Sequence, residues 1–201
     1  MEKDGIYYGV ALGSAGVFLS YFFHFGWGLV FFAVALFCVY FFRDPERAIP
    51  DGPVAVSPAD GKVVHVRPLD GGGTRVSIFL NIFNVHVNRA PVGGRITGVS
   101  YQPGKFVMAH REEASAGNEQ NTVVIDSEGT QVVTRQIAGL IARRIVCRKK
   151  PGDEVAKGER FGLIKFGSRV DVFLGPEWEL TVRKGDKVSG GSSVLARRRG
   201  A

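Results

Sequence analysis

The sequence predicts a mainly β domain of barrel-sandwich type behind an N-terminal hairpin of two apolar helices, and three observations predict it. No Lys, Arg, Asp or Glu occurs between Gly5 and Phe42. Beyond the prolines that end at Pro53, the chain breaks into short alternating runs separated by Gly, Pro, Asp and Asn. Two segments spaced 33 residues apart share one turn pattern. A chain of 201 residues holds one domain of ordinary size, about 100 to 150 residues, plus an appendage.

The charge-free stretch comes first. As a single helix it would run roughly 55 Å, well beyond the ~30 Å hydrocarbon thickness of a bilayer. Two helices over residues 6–23 and 27–42, meeting at His24, Gly26 and Gly28, fit that thickness. The expectation is a membrane anchor over residues 1–42. A secretory leader is disfavoured, because the stretch is too long and ends in "FFRDPER" rather than a small-residue cleavage site. Arg43 and Arg47 after the second helix put the following domain on the cytoplasmic face by the positive-inside tendency. The expected location is therefore the cell membrane. Tyr7, Tyr8 and Tyr40 stand near the expected interfaces.

Residues 43–53, "RDPERAIPDGP", read as a linker, and residues 54–201 as the β-rich domain. "KVVHV", "TRVSIFL", "RITGVSY", "NTVVID", "TQVVTRQI", "RRIVCR", "RVDVFL" and "ELTV" each have the period-two pattern or β-branched content of strands. "DGGGTR" lacks a following helix and reads as a hairpin loop. "PGDEVAKGERFG" and "KGDKVSGGSSVL" match at Gly152 with Gly185, Asp153 with Asp186, Val155 with Val188 and Gly158 with Gly191. This turn resembles that of biotinyl and lipoyl carrier domains. Glu159 stands in the first copy where Ser192 stands in the second, so the turn does not need serine and Ser192 reads as structural.

The chain carries 26 basic and 19 acidic residues, a net charge of +7. A basic domain tethered to a bilayer is drawn to anionic lipid. Nucleic acid is the weaker partner, because aromatic residues are not interleaved with the basic ones. Cys38 and Cys147 have no partner spacing, and the four histidines lie in unrelated contexts. No metal and no disulfide framework is expected.

Three segments bring reactive side chains to turns: "SPADGKV" with Asp60, "FLNIFNVHVNRAPVGG" with His86 and Arg89, and "KFGSRVDVF" with Ser168 after Gly167. Together with "GNEQN", "QIAGLIARRIVC" and "ERFGLIKFGSRVDVFL", in this order, they resemble the short, bacterial and archaeal branch of the phosphatidylserine decarboxylases over residues 43–195. That resemblance implies a pyruvoyl-dependent lyase that makes its own cofactor. The Ser168 hydroxyl attacks the Gly167 carbonyl, and the chain is cut into residues 1–167 and 168–201, which remain associated. The pyruvoyl group left on the former Ser168 then serves as the electron sink for decarboxylating phosphatidylserine to phosphatidylethanolamine.

The same resemblance implies His86 as the base and Asp60 as the carboxylate that orients it, the division of labour of a Ser-His-Asp triad. In the longer branch a second histidine stands three residues after the first. Here that place is Arg89, so either His86 serves both maturation and turnover or His110 or His65 assists. Arg89, His110, Asn118, Glu119 and Arg169 are weaker expectations for substrate contacts, with Lys105 and Arg143 as further cations. Assembly as a homodimer is open. The competing reading is a membrane-anchored, carrier-like adaptor without catalysis, which the repeat alone would also fit.

Overall fold

The computed structural model describes residues 1–104, 117–139, 144–165 and 168–200. The chain divides into two compact units, Met1–Glu46 and Arg47–Ala201.

The first unit is a pair of helices, α1 (Lys3–Phe22) and α2 (Phe25–Phe41). The turn between them is held by His24, whose Nδ1 accepts from the Gly26 N–H at 3.1 Å as the N-cap of α2. The helices meet through small residues. A Cβ on Gly28 would lie 2.5 Å from the Gly16 carbonyl oxygen, so only glycine allows that approach. Outward-facing Phe18, Tyr21, Phe22, Trp27, Leu29 and Leu36 are exposed. By length and composition α1 can cross a membrane; α2 is apolar but shorter, at 17 residues.

The second unit is built from strands. Among the described residues, an eight-stranded antiparallel sheet curls into a half-barrel. Its order is β13 (Lys187–Val188), β2 (Gly61–Pro68), β3 (Thr74–Leu80), β11 (Ser168–Leu174), β7 (Thr130–Ile137), β6 (Gln120–Ser127), β5 (Gly94–Gln102) and β9 (Glu154–Val155). A three-stranded sheet orders β4 (Val87–Arg89), β10 (Arg160–Lys165) and β8 (Arg144–Cys147). The remaining sheet orders β1 (Val54–Val56), β14 (Val194–Arg198) and β12 (Trp178–Leu180). Val76, Ile78, Leu80, Val123, Ile125, Phe161, Ile164, Val170, Val172 and Leu195 belong to one buried core. The mainly β, barrel-sandwich expectation holds, and "DGGGTR" forms the β2–β3 turn, closed by Leu69 N–H to the Gly73 carbonyl.

The 33-residue repeat corresponds to two equivalent turns, each docked on a strand start 33 residues from the other. Asp153 accepts from the Lys150 N–H, and Asp186 accepts from the Arg183 N–H, both at 2.9 Å. Gly152 donates to the Ile96 carbonyl and Gly185 to the Val63 carbonyl, both at 2.8 Å. Ile96 and Val63 are themselves 33 residues apart, so each turn grips an equivalent strand. The two-residue strands that follow, β9 and β13, close the edges of the large sheet against Gly94 and Gly61. Gly94 has φ +151°, and a Cβ there would sit 2.0 Å from the Asp126 carbonyl oxygen. Gly94→Ala is expected to lose about 1 to 3 kcal/mol of stability through backbone strain, more if the edge opens. Chemical denaturation checks it, and an unchanged midpoint would show that the edge pairing is dispensable.

Candidate active site

Antiparallel pairing makes one end of the large sheet collect the starts of β2, β11 and β6 and the finishes of β3, β7 and β5. Ser168 stands opposite Leu80, Arg169 opposite Ile137, Ile137 opposite Gln120, and Gln120 opposite Gln102, one row across five strands. Asp60 precedes this row at β2, the loop 81–86 follows it at β3, and Asn118 and Glu119 precede it at β6. Segments far apart in the chain thus meet at the end where β11 begins.

Ser168 is fully buried, and its Oγ has no hydrogen-bond partner among the described residues. Alternation along β11 turns it to the same face as core residues Val170 and Val172. An unsatisfied buried hydroxyl costs about 1 to 3 kcal/mol, so its retention calls for a use. Gly167 lies outside the described residues, as do Lys105, His110 and Arg143.

His86 is 2% exposed, and its Nδ1 lies 2.9 Å from the Asn84 carbonyl oxygen. A carbonyl only accepts, so this bond puts the proton on Nδ1 and makes Nε2 the acceptor nitrogen. The His86 carbonyl accepts from the Ile164 N–H at 3.3 Å, which ties the histidine to the strand leading into Ser168. Asp60 is engaged elsewhere. Its carboxylate takes Arg47 Nη2 at 2.9 and 3.1 Å and the Gly190 N–H at 2.7 Å. The group bonded to Nδ1 is therefore a backbone carbonyl. Asp60 anchors the turn carrying Ser189 to Gly191 and joins Lys62, Asn81, Asn84 and Lys187 in lining a cavity of about 340 Å³.

The weaker expectations separate. Asn118 donates to the Ala138 carbonyl at 2.7 Å, and Ala138 donates to the Glu119 carbonyl, so "GNEQN" frames the Ser168 end. Glu119 bonds the Tyr101 hydroxyl, whose pKa is raised by desolvation and by the Glu119 charge. Arg89 is buried and donates to the Gly158 carbonyl at 3.1 Å, at a repeated turn. Arg169 points to the face opposite Ser168, where it is fully buried and gives Asp171 a two-pronged bond of 2.8 and 2.9 Å. Opposite Asp171 stands Arg135. Burial lowers the Arg135 pKa, Asp171 opposes that shift, and Arg75 and Arg169 add to it.

Sequence reasoning missed three features. Arg47, the partner of Asp60, sits in a segment that reads only as linker. Asn121 donates to Gln136 at 2.9 Å and Gln136 to Asn88 at 2.8 Å, a buried amide chain that joins the large sheet to β4. The signal for it was Gln136 standing on the face of β7 that Val132 shares with the core. Thirdly, Lys62 and Lys187 are the cations of the cavity. Among the described residues no group of three or more His, Cys, Asp or Glu could hold a metal ion.

Comparison with known proteins gives the class first: the chain is an enzyme, a decarboxylase of the carboxy-lyase type. It belongs to the phosphatidylserine decarboxylase family, whose family model matches residues 34–196. It is 60% identical over 196 residues to the phosphatidylserine decarboxylase proenzyme of Solibacter usitatus, spanning 98% of this chain and 96% of that one. The proenzyme of the same name from Syntrophus aciditrophicus is 45% identical over 204 residues, spanning 97% of this chain and 96% of that one. That from Magnetococcus marinus is 46% identical over 180 residues, spanning 85% and 82%.

Proposed function

We propose that this chain cuts itself before Ser168, converts that residue to a pyruvoyl group, and decarboxylates phosphatidylserine to phosphatidylethanolamine at the cytoplasmic face of the cell membrane. The observation that carries the proposal is the buried Ser168 Oγ at the head of β11, without a hydrogen-bond partner among the described residues. A hydroxyl held this way is not spent on the fold. In the cut, Oγ attacks the carbonyl carbon of residue 167 and an ester replaces the amide. Loss of the Ser168 Cα proton expels the residue-167 carboxylate; water then replaces the nitrogen, which leaves as ammonia. Once formed there, the pyruvoyl group would supply an electron sink for the pair left on the substrate carbon when carbon dioxide departs.

The remaining work falls to side chains. His86, with its proton held on Nδ1 by Asn84, takes the Oγ proton at Nε2 during maturation and returns a proton to the substrate carbon during turnover. Asp60 is the third member of the site, fixing the 189–191 turn and setting a negative charge beside the cavity. Lys62 and Lys187 attract the substrate's phosphodiester and carboxylate, and Asn118 and Glu119 border the same end. Residues 1–42 anchor the enzyme in the bilayer that holds its substrate, with Arg43 and Arg47 on the cytoplasmic side. The two chains stay associated after the cut.

The test is carbon dioxide release from phosphatidylserine by purified wild type and His86→Ala. Wild type is expected to turn over. The variant is expected to mature about 10² to 10⁴ times more slowly, the usual worth of a positioned base. A His86→Ala protein that matures at the wild-type rate would move the base elsewhere, and a wild type inert on phosphatidylserine would sink the reading.

A further inference from the structure

We infer that the turn carrying Ile82 and Phe83 is a docking element that inserts into an anionic lipid surface and seats the Ser168 end of the enzyme on the bilayer. The inference rests on the reading of Ser168 as the reaction centre. In the second unit, the exposed large apolar residues among those described are Ile82 at 38%, Phe83 at 61% and Tyr101 at 58%. All three lie at one end. Ile82 and Phe83 follow the end of β3, where Leu80 faces Ser168, and Tyr101 is next to last in β5, where Gln102 joins the same row. The opposite end of the sheet shows no large exposed apolar side chain among the described residues.

The turn is built to hold these side chains outward. Asn84 Oδ1 accepts from the Asn81 N–H at 2.9 Å, Asn81 Oδ1 accepts from the Phe83 N–H at 2.8 Å, and the Asn84 N–H donates to the Asn81 carbonyl at 3.0 Å. A turn clasped this way carries Ile82 and Phe83 at its tip, where both are exposed. Two neighbouring apolar side chains exposed at such a tip offer an apolar contact to a surface that meets this end of the sheet.

Charge selects a lipid surface as that occupant. Lys62 and Lys187 line the cavity beside Asn81 and Asn84, and they stand directly opposite each other in the β2–β13 pair. Like charges so placed repel; the carboxylate of the same cavity, Asp60, is already engaged by Arg47 and the Gly190 N–H, and a negative surface relieves the lysines. Arg144, at the start of β8 opposite Lys165, is exposed as well. An apolar tip with basic residues around it suits the boundary between anionic headgroups and acyl chains. Because the Asn84 carbonyl also holds Nδ1 of His86, the docking turn and the catalytic histidine are one piece of backbone.

The test uses the full-length protein in vesicles of phosphatidylcholine and phosphatidylglycerol doped with a nitroxide-bearing lipid. In a Cys38→Ser, Cys147→Ser background, an environment-sensitive fluorophore is attached at Phe83→Cys or, as control, at Asp70→Cys in the β2–β3 turn at the opposite end. Quenching at position 83 is expected to exceed that at position 70 by at least about threefold. Equal quenching at the two positions overturns the proposal. Cross-linking between two copies through position 83 without quenching also overturns it, and assigns the turn to self-association. As a second readout, the double variant Ile82→Ser, Phe83→Ser is expected to cut itself completely by intact mass, yet to lose about tenfold in kcat/KM on phosphatidylserine held in vesicles. Failure of that variant to cut would show the turn acting on the reaction centre itself and would overturn docking as its role. Quenching needs no turnover, so a wild type that releases no carbon dioxide would sink the decarboxylase reading while the ratio between positions 83 and 70 still decides docking.

Discussion

Ser168→Ala is expected to yield one chain of 201 residues where the wild type yields pieces of 167 and 34, and to release no carbon dioxide above background. The geometry makes this a test of chemistry rather than of folding. The Oγ makes no hydrogen bond among the described residues, so its removal strands no partner and relieves a buried, unsatisfied group. Pairing of β11 with β3 and β7 runs through backbone atoms that alanine retains. The uncut variant should therefore fold and melt cooperatively, while maturation stops outright. Intact mass, melting and gas release on the same preparation separate the possibilities. A variant that still cuts would remove Ser168 from the reaction. A cut before Ser192 would transfer the role to a residue whose N–H bonds the Ser189 carbonyl in the second repeated turn.

The second large effect is on stability. Asp171→Ala is expected to cost about 3 to 5 kcal/mol, because it leaves the Arg169 guanidinium in the interior without its carboxylate. Both side chains are fully buried, and their two-pronged bond lies on the strand that also carries Ser168. Domains hold only about 5 to 15 kcal/mol in total, so the variant should be poorly soluble or melt far below the wild type. Arg135 aggravates the loss: its pKa is already lowered by burial, and Asp171 is the charge that opposes that shift. Replacing the pair together, Arg169→Met with Asp171→Leu, should recover most of the stability, since apolar residues of similar volume remove the desolvation penalty. If Asp171→Ala melts like the wild type, the ion pair is not what holds the centre of the sheet.

Much of this architecture was legible because it is local. Residues 75–78 alternate with period two and residues 130–137 are rich in β-branched side chains, and β3 and β7 span those stretches. The G-D-x-V-x-x-G turns could be read because glycine and aspartate are bound by the turn itself. Their docking strands were harder, because S-P-A-D-G-K-V and A-P-V-G-G-R-I keep only Pro, Gly, a cation and a β-branched residue in register. That comparison isolates Asp60: its counterpart in the other half is Gly93, so the shared geometry does not require a carboxylate. The residues expected for the site, Ser168, His86 and Asp60, come from motifs that lie at one end of one sheet. What the sequence withheld is pairing across distance. Nothing in "FRDPER" distinguishes Arg47, the partner of Asp60, from a solvated charge. The bond from His86 Nδ1 runs to a backbone carbonyl, which no side-chain motif encodes.

The position of β11 carries a last consequence. It lies inside the eight-stranded sheet, hydrogen-bonded to β3 on one side and β7 on the other, while β13 closes a sheet edge and β12 and β14 pair in another sheet. A chain severed before Ser168 keeps all these strands where they are, but the order of events becomes irreversible. Before the cut, folding is a first-order search by one molecule; afterwards, recovery from unfolding requires two molecules to find each other and one to thread the middle of the other's sheet. The mature protein's resistance to heat should accordingly depend on its concentration, whereas that of the uncut chain should not. If the chain cuts itself as proposed, folding gets a single unimolecular opportunity, and the act that creates the reactive group also ends it.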